Sequence, residues 1–259
     1  MDRDNLLLLM DRNMQEMYRE MARWTPGGFV VERGGLVMVG APLGTVVTNM
    51  AIVAGPTDVD TIRCETERVY GTALPFSIHT RAHADVALEA ALVAGGYHEI
   101  ASTPGMVVRP GECRPGPAPD ELDVRPVVDD ASRAAYAEVM AEAYATYGSP
   151  EESTRSYFAR LESVASETTQ AYLGFVDGSP VSGATLYLSH GIGGVGWVGT
   201  RPGAFGRGYG TALTRRVVDE GFRRGVPLLN LQASPMGAPV YRRMGFATPT
   251  HYRMFIRVA

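Results

Sequence analysis

Pro202-Gly203-Ala204-Phe205-Gly206-Arg207-Gly208-Tyr209-Gly210-Thr211-Ala212-Leu213 is the stretch of this chain best suited to chemistry. An apolar strand-like run, Val195 to Thr200, precedes it, and a helix-like run from Thr211 to Arg224 follows. A glycine-rich turn between a strand and a helix presents bare backbone N–H groups and the positive end of a helix dipole. Gly206, Gly208 and Gly210 have no side chains to block an approaching group. The natural guest is a phosphate or pyrophosphate. Dinucleotide binding would want Gly-x-Gly-x-x-Gly, but Gly206-x-Gly208 is followed by Thr211 and Gly208-x-Gly210 by Leu213. A Walker-type loop would need a Gly-Lys-Ser/Thr end, which this turn lacks.

The elements that must hold this turn fall into two halves. The segment Arg109 to Asp120 holds four prolines and two glycines without apolar periodicity and reads as a linker. It puts a boundary near residue 115, with domains at 1–115 and 116–259. In the first half, Leu6, Met10, Met14, Met17 and Met21 mark an amphipathic helix over 5–22. Phe29 to Val39 reads as a hairpin and 49–54 as a strand. A helix over 58–71, a strand over 76–80, a helix over 83–95 and a strand over 105–109 follow. The second half repeats this order: strand 122–127, helices 131–147 and 153–163, strands 170–177, 181–189 and 194–200. Helix 207–224, strand 228–233, short helix 238–244 and strand 251–258 complete it. Ala94-Gly95-Gly96-Tyr97 occupies the place of Arg243-Met244-Gly245-Phe246, each pair leading into a final apolar strand, which points to an internal duplication. The fold class is α+β (α/β mixed), each half a mixed, mostly antiparallel sheet flanked by helices. The halves differ where the turn sits. Asp58 and Asp60 open the first-half helix, where carboxylates suit a cap and repel a pyrophosphate.

Composition narrows the class. The 259 residues are 45% hydrophobic and 20% charged with a formal net charge of −4, which gives no support for nucleic-acid binding. The arginine pairs at 215–216, 223–224 and 242–243 read as solvated helix faces, with Asp219–Arg223 and Glu220–Arg224 as i,i+4 pairs. Two distant cysteines, Cys64 and Cys113, argue against a disulfide framework or a metal site. No apolar run is long enough for a membrane span, and Leu6 to Met10 lacks the basic flank of a signal peptide. The expectation is a cytoplasmic protein with no metal, no nucleic-acid partner and no membrane partner. Monomer and homodimer both stay open.

Residues 122–259 resemble the GCN5-related N-acetyltransferases (GNATs). Two motifs carry the resemblance: the turn above, and Leu231 to Phe246, which looks like that family's strand, short helix and Tyr-x-x-x-Gly-Phe ending at Tyr241, Gly245 and Phe246. They lie about 30 residues apart, in the family's order. The first half looks like a degenerate copy, so the chain resembles a tandem member. The family's turn usually reads Gln/Arg-x-x-Gly-x-Gly/Ala; counting from Arg207 gives a formal match, Arg207-x-x-Gly210-x-Ala212, whereas the preferred register, which aligns both flanks, puts Phe205 at the first place, with Gly208 and Gly210 as the glycines, and leaves the Arg207 side chain without a family role.

The resemblance implies acetyl transfer from acetyl-CoA, as co-substrate, to an amine of a small molecule or peptide, by direct attack in a ternary complex. A non-catalytic acyl-CoA-binding module or regulatory pseudo-enzyme is the alternative. It implies that strands 194–200 and 228–233 splay and that pantetheine lies between them, bonded by amides of Val198, Gly199 and Thr200. Gly194, Gly196 and Gly199 fit close approach of another chain or mark a bulged edge. The pyrophosphate falls on the amides of Phe205, Gly206, Arg207, Gly208, Tyr209, Gly210, Thr211 and Ala212. Tyr241 is the catalytic candidate, a general acid near the CoA sulfur, since tyrosine keeps its proton with a reference pKa of about 10. Ser234 stands where the family often has Asn, to bond pantetheine or to cap the helix. Strand 194–200 carries no acid, which leaves His190, Glu138, Glu142, Glu151 and Glu152 as candidate bases. Tyr144, Tyr147, Tyr157, Phe158 and Trp197 either line the acceptor site or pack the helices of 140–160 on the sheet. The acceptor and the acyl length stay open.

Overall fold

The structure is a computed structural model that describes residues 1–114, 116 and 118–257. Pro115, where the boundary is expected, lies outside the described residues, as does Val258 at the end of the expected last strand. The chain opens with helix α1 (Arg3–Trp24), capped by the Asp2 carboxylate on the Asn5 N–H. Strands β1 (Phe29–Arg33) and β2 (Leu36–Gly40) form a hairpin. Its turn residues Gly34 and Gly35 sit at φ 60° and 77°, the left-handed geometry that a two-residue hairpin turn requires. β3 (Met50–Val53), α2 (Val59–Tyr70), β4 (Ser77–Arg81), α3 (Val86–Ala94) and β5 (Tyr97–Val108) complete the first half. Asp58 accepts the Thr61 N–H at 2.7 Å and so closes the start of α2 with its own carboxylate.

The second half runs β6 (Asp123–Pro126), α4 (Asp130–Ala145), α5 (Glu151–Ser156), β7 (Thr169–Val176), β8 (Ser179–Ser189) and β9 (Ile192–Thr200). It continues with α6 (Tyr209–Arg223), β10 (Leu229–Gln232), α7 (Gly237–Arg243) and β11 (Ala247–Arg257). Two elements depart from expectation. β5 is 12 residues long and starts at Tyr97, well before residue 105, because the polar stretch His98 to Thr103 pairs along β11. α5 stops at Ser156, since Tyr157 and Phe158 turn into the core instead of continuing a helical face. No helix among the described residues is long and apolar enough to cross a membrane, and those residues hold no cluster of metal-ligating side chains.

All eleven strands form one sheet in the order β1-β2-β3-β4-β11-β5-β10-β9-β8-β7-β6. Pairs β3–β4 and β9–β10 are parallel and every other pair is antiparallel. The duplication is visible in this order: a parallel pair bridged by α2 in one half matches one bridged by α6 in the other. α3 and α7 both hand over through a left-handed glycine, Gly96 at φ 84° and Gly245 at φ 99°. The two expected sheets merge because the halves exchange their final strands. β5 pairs with β10 and β11, while β11 pairs with β4 and β5.

α1 lies across the join and is tied to both sides. The Asn13 amide donates to Ser189 Oγ at 2.8 Å, and Asn230 Nδ2 donates to Asn13 Oδ1 at 2.8 Å. Two residues earlier, buried Asp11 accepts the Tyr252 hydroxyl at 2.8 Å and lies 3.1 Å from His83 Nε2. Buried polar groups that are fully partnered in this way fix one packing arrangement, because any other leaves them unsatisfied. The apolar core splits accordingly. One cluster (Met106, Leu186, Leu213, Val217, Leu229, Phe246) lies under α6 and α7, and another (Leu36, Ile62, Ile78, Leu92, Phe255) under α2 and α3.

Candidate functional site

β9 and β10 run together only at Leu229/Gly193 and Asn230/Gly194. Beyond that point they diverge, and residues 195–200 of β9 have no strand on that side among the described residues. A cavity of about 330 Å³ opens at the gap. Its walls are β9, the turn after it, the start of α6 and the face of α7. Gly206 and Gly208 stand at φ 77° and 83°, a backbone region that L side chains rarely occupy. A Cβ at Gly206 would meet nothing within 4 Å, so the turn is open to an incoming group.

The amides of the turn divide into used and free. Phe205 N–H donates to the Pro202 carbonyl at 3.3 Å, and Ala212 N–H donates to Gly208 at 3.0 Å as the first full helical bond of α6. Between them, the N–H groups of Gly206, Arg207, Gly208, Tyr209, Gly210 and Thr211 donate to no acceptor among the described residues. Six such amides at a helix start form an anion cradle. The expected span of Phe205 to Ala212 thus narrows by one residue at each end. Phe205 still lines the cavity and is exposed, as is Met236 just before α7. Arg207 and Ala212 do not line it; Arg207 points to solvent. Val198, Gly199, Thr200, Gly206, Gly208, Tyr209, Gly210, Thr211, Ser234 and Tyr241 all do. The Tyr209 hydroxyl itself is committed to Glu121 at 2.8 Å.

A register shift in the β8–β9 pairing leaves Trp197 and Val198 without a β8 partner. Trp197 takes φ 47°, an uncommon angle for a large side chain, and its carbonyl accepts the Tyr136 hydroxyl at 3.1 Å. This is a bulge that re-aims one strand residue. Gly194, Gly196 and Gly199 of β9 have a different cause from the one expected. A Cβ at Gly194 would lie 2.4 Å from Asn13 Oδ1, and one at Gly196 would lie 2.9 Å from the Tyr187 ring. One at Gly199 would lie 3.0 Å from Ala143 and Met140. The close approach is made by the protein's own α1, β8 and α4.

Ser234 Oγ accepts the Gly237 N–H at 3.1 Å and so caps α7, while also facing the cavity. Tyr241 packs over Gly237, where a Cβ would come within 2.8 Å of its ring. Burial pushes the Tyr241 hydroxyl up to about 12, so it holds its proton throughout the neutral range.

A second cavity, of about 320 Å³, meets the first where Tyr147, Val198, Ser234 and Tyr241 line both. Its walls come from both halves: Met14, Met17, Tyr18 and Met21 of α1, His79 of β4 and Tyr252 of β11 face Tyr144, Tyr147 and Trp197. Tyr157 and Phe158 stand behind, buried, with Phe158 edge-on to Trp197 at 4.9 Å between ring centroids. None of the expected bases reaches either cavity. Glu138 and Glu151 both pair with Arg155, at 2.9 and 2.6 Å, and Glu142 pairs with Arg201 at 3.1 Å. Glu152 is exposed, and His190 forms the exposed β8–β9 turn at φ 52°. The imidazole that does reach it is His79. It is buried, with Nε2 at 3.2 Å from Ser77 Oγ, and desolvation lowers its pKa to about 4. Sequence reasoning missed His79 and the α1 methionines as lining; the methionine stripe at helical spacing was the available signal.

Comparison with known proteins adds to this geometry. Residues 127–248 match the family described as Acetyltransferase (GNAT) domain. No curated protein matches the chain. Among solved structures, the fold is similar to a GCN5-related N-acetyltransferase from Kribbella flavida, with a TM-score of 0.71 at 21% identity over 95% of this chain and 94% of that one. It is also similar to one from Sphaerobacter thermophilus, with a TM-score of 0.57 at 21% identity over 86% and 80% of the two chains. A tandem GNAT protein from the clavulanic acid biosynthesis pathway superposes with a TM-score of 0.60 at 15% identity over 89% and 83%. The splayed parallel strands and the glycine turn at a helix start both lie in the part that matches a GNAT domain, and the fold of the chain is similar to that of GCN5-related N-acetyltransferases and of a tandem GNAT protein.

Proposed function

We propose that the protein is an acetyl-CoA-dependent N-acetyltransferase in which residues 116–259 hold the donor and residues 1–115 close the acceptor side. One observation carries this reading. The six free amides of Gly206 to Thr211 lead along the unpartnered edge of β9 to Tyr241, where the second cavity begins. A diphosphate would accept from those amides at the positive end of α6. A linear pantetheine chain would run beside Val198, Gly199 and Thr200, with Ser234 across the gap. Acetyl-CoA supplies an activated thioester.

The chain's own residues then have three tasks. The bulge at Trp197–Val198 would aim a main-chain N–H at the thioester oxygen, where negative charge develops. The Tyr241 hydroxyl would donate to the sulfur as the C–S bond breaks and the C–N bond forms. The second cavity would hold the amine, whose proton leaves as it attacks. His79, with its pKa near 4, is a poor proton acceptor, so the amine would have to arrive already neutral.

Gly206→Asp tests the donor site. The residue's φ of 77° is one that Asp tolerates better than most, and the added Cβ has open space. The thermal midpoint without ligand should move little. CoA affinity by calorimetry should fall at least about tenfold, or about 1.4 kcal/mol, through like-charge repulsion at the cradle. Unchanged CoA affinity would place the donor elsewhere.

A further inference from the structure

We infer that the acceptor is an apolar monoamine, a primary amine on an aromatic or bulky hydrocarbon body with no second charged group. This rests on the acetyltransferase reading and names the substrate class of its second cavity. Among the described residues, the lining of that cavity contains no Asp, Glu, Lys or Arg. It is made of five tyrosines, one tryptophan and four methionines, with a few small or neutral polar groups between them.

Each rival acceptor would need a charged partner that this lining lacks among the described residues. A polyamine or aminoglycoside brings several ammonium groups, and each would be desolvated without a carboxylate to meet it. The nearby carboxylates are engaged elsewhere: Asp11 with Tyr252 and His83, Glu142 with Arg201, and Glu138 with Arg155. An amino acid brings a carboxylate, and no cation lines the cavity to take it. His79 cannot serve, because burial keeps its ring neutral. An aromatic body, by contrast, finds a built wall. Trp197 is fixed by its bulge and backed by Tyr144 at 4.6 Å and Phe158 at 4.9 Å between centroids. Across from it, three α1 methionines and Met254 offer flexible, polarisable contacts that mould to a ring. The same wall favours the neutral form of the reacting nitrogen, because an apolar site lowers an amine's pKa. The ammonium proton therefore goes to solvent on entry; as the lone pair forms the new C–N bond and the C–S bond breaks, the nitrogen sheds a second proton to water, and the departing sulfur takes one from Tyr241, which water restores.

The decisive pair of probes is 2-phenylethylamine and phenylalanine, which share a body and differ by one carboxylate; spermidine tests multiple charge. Thiol release with acetyl-CoA should give 2-phenylethylamine a kcat/KM at least 100-fold above both others, rising with pH as the amine deprotonates. A kcat/KM for phenylalanine or spermidine equal to or above that of 2-phenylethylamine would overturn the inference. A binding measurement keeps this separate from the donor reading. In a Trp24→Phe background, where Trp197 is the remaining tryptophan, 2-phenylethylamine should quench fluorescence saturably without CoA, and phenylalanine should not. Equal quenching by both, or none by 2-phenylethylamine, overturns the acceptor class whatever CoA does. Failure of CoA to bind in calorimetry would instead sink the acetyltransferase reading.

Discussion

Burial sets the protonation of two side chains at the cavities, Tyr241 and His79. Tyr241, held near 12, stays protonated across any practical assay range. In the proposed mechanism it donates a hydrogen bond to the leaving sulfur, so Tyr241→Phe should lower kcat by about 100-fold while leaving the acetyl-CoA KM nearly unchanged. Pre-steady-state thiol release measures this; a variant with wild-type kcat removes Tyr241 from the reaction. The wild-type rate should also show no alkaline loss below about pH 11 that disappears in Tyr241→Phe. His79 acts on stability. Its folded pKa near 4 lies below the unfolded reference of about 6.5, so only the unfolded chain takes the proton between those values. Stability should be unaffected by His79 above pH 6.5, fall as pH drops towards 4, and level off below, with a total loss of about 3 kcal/mol. Urea titrations at pH 7.5 and 4.5 should show that difference shrink in His79→Gln; an unchanged difference would mean the ring titrates normally. His79 was invisible in the sequence because nothing local marks a strand histidine as buried. The place of Tyr241 on the cavity wall was readable because its motif lies in one continuous stretch.

Elements whose positions depend on local geometry were legible, and those that depend on distant pairing were not. The turn at Gly206 and Gly208 was readable because left-handed backbone there demands glycine. Asp58 was readable as a cap because an acidic residue before a helical run is a local signal. The first half of β5 was hidden: His98, Glu99, Ser102 and Thr103 look like loop, and only β11, some 150 residues on, makes them strand. The β9 glycines show the same limit in reverse. They announce a close approach but not its partner, which proved to be α1, β8 and α4. Gly194 is the sharpest case. Gly194→Ala would push a methyl group towards Asn13 Oδ1 and break the Asn13–Asn230 bond that ties α1 to β10. We expect a loss of about 1–3 kcal/mol in urea unfolding. Full wild-type stability would show that α1 has room to retreat.

At the scale of the whole molecule, the duplicated order and the fold class were legible from the repeated succession of elements, whereas the single sheet was not. Nothing in either half's sequence says that its final strand pairs outside that half. The second cavity was hidden for the same reason, since α1, β4 and β11 meet α4 and β9 only after the exchange. The exchange makes a firm prediction. β5 takes both its neighbours, β10 and β11, from the second half, and β11 takes both of its own, β4 and β5, from the first. Residues 1–114 and 118–257 expressed separately should each lack a cooperative melt, and should recover one when mixed. A sharp transition in either fragment alone would show that a half folds by itself.

The crossing of β5 and β11 also sets a timetable for synthesis. When β4 and β5 leave the ribosome, the slot between them stays vacant until β11 has been translated, so the early-made half must wait with one edge of β4 and both edges of β5 unpaired. Such edges are sticky. Slow translation through α6 and α7 would lengthen that wait, and a holding chaperone bound to the nascent chain should raise the yield of native protein more than it would for two beads on a string.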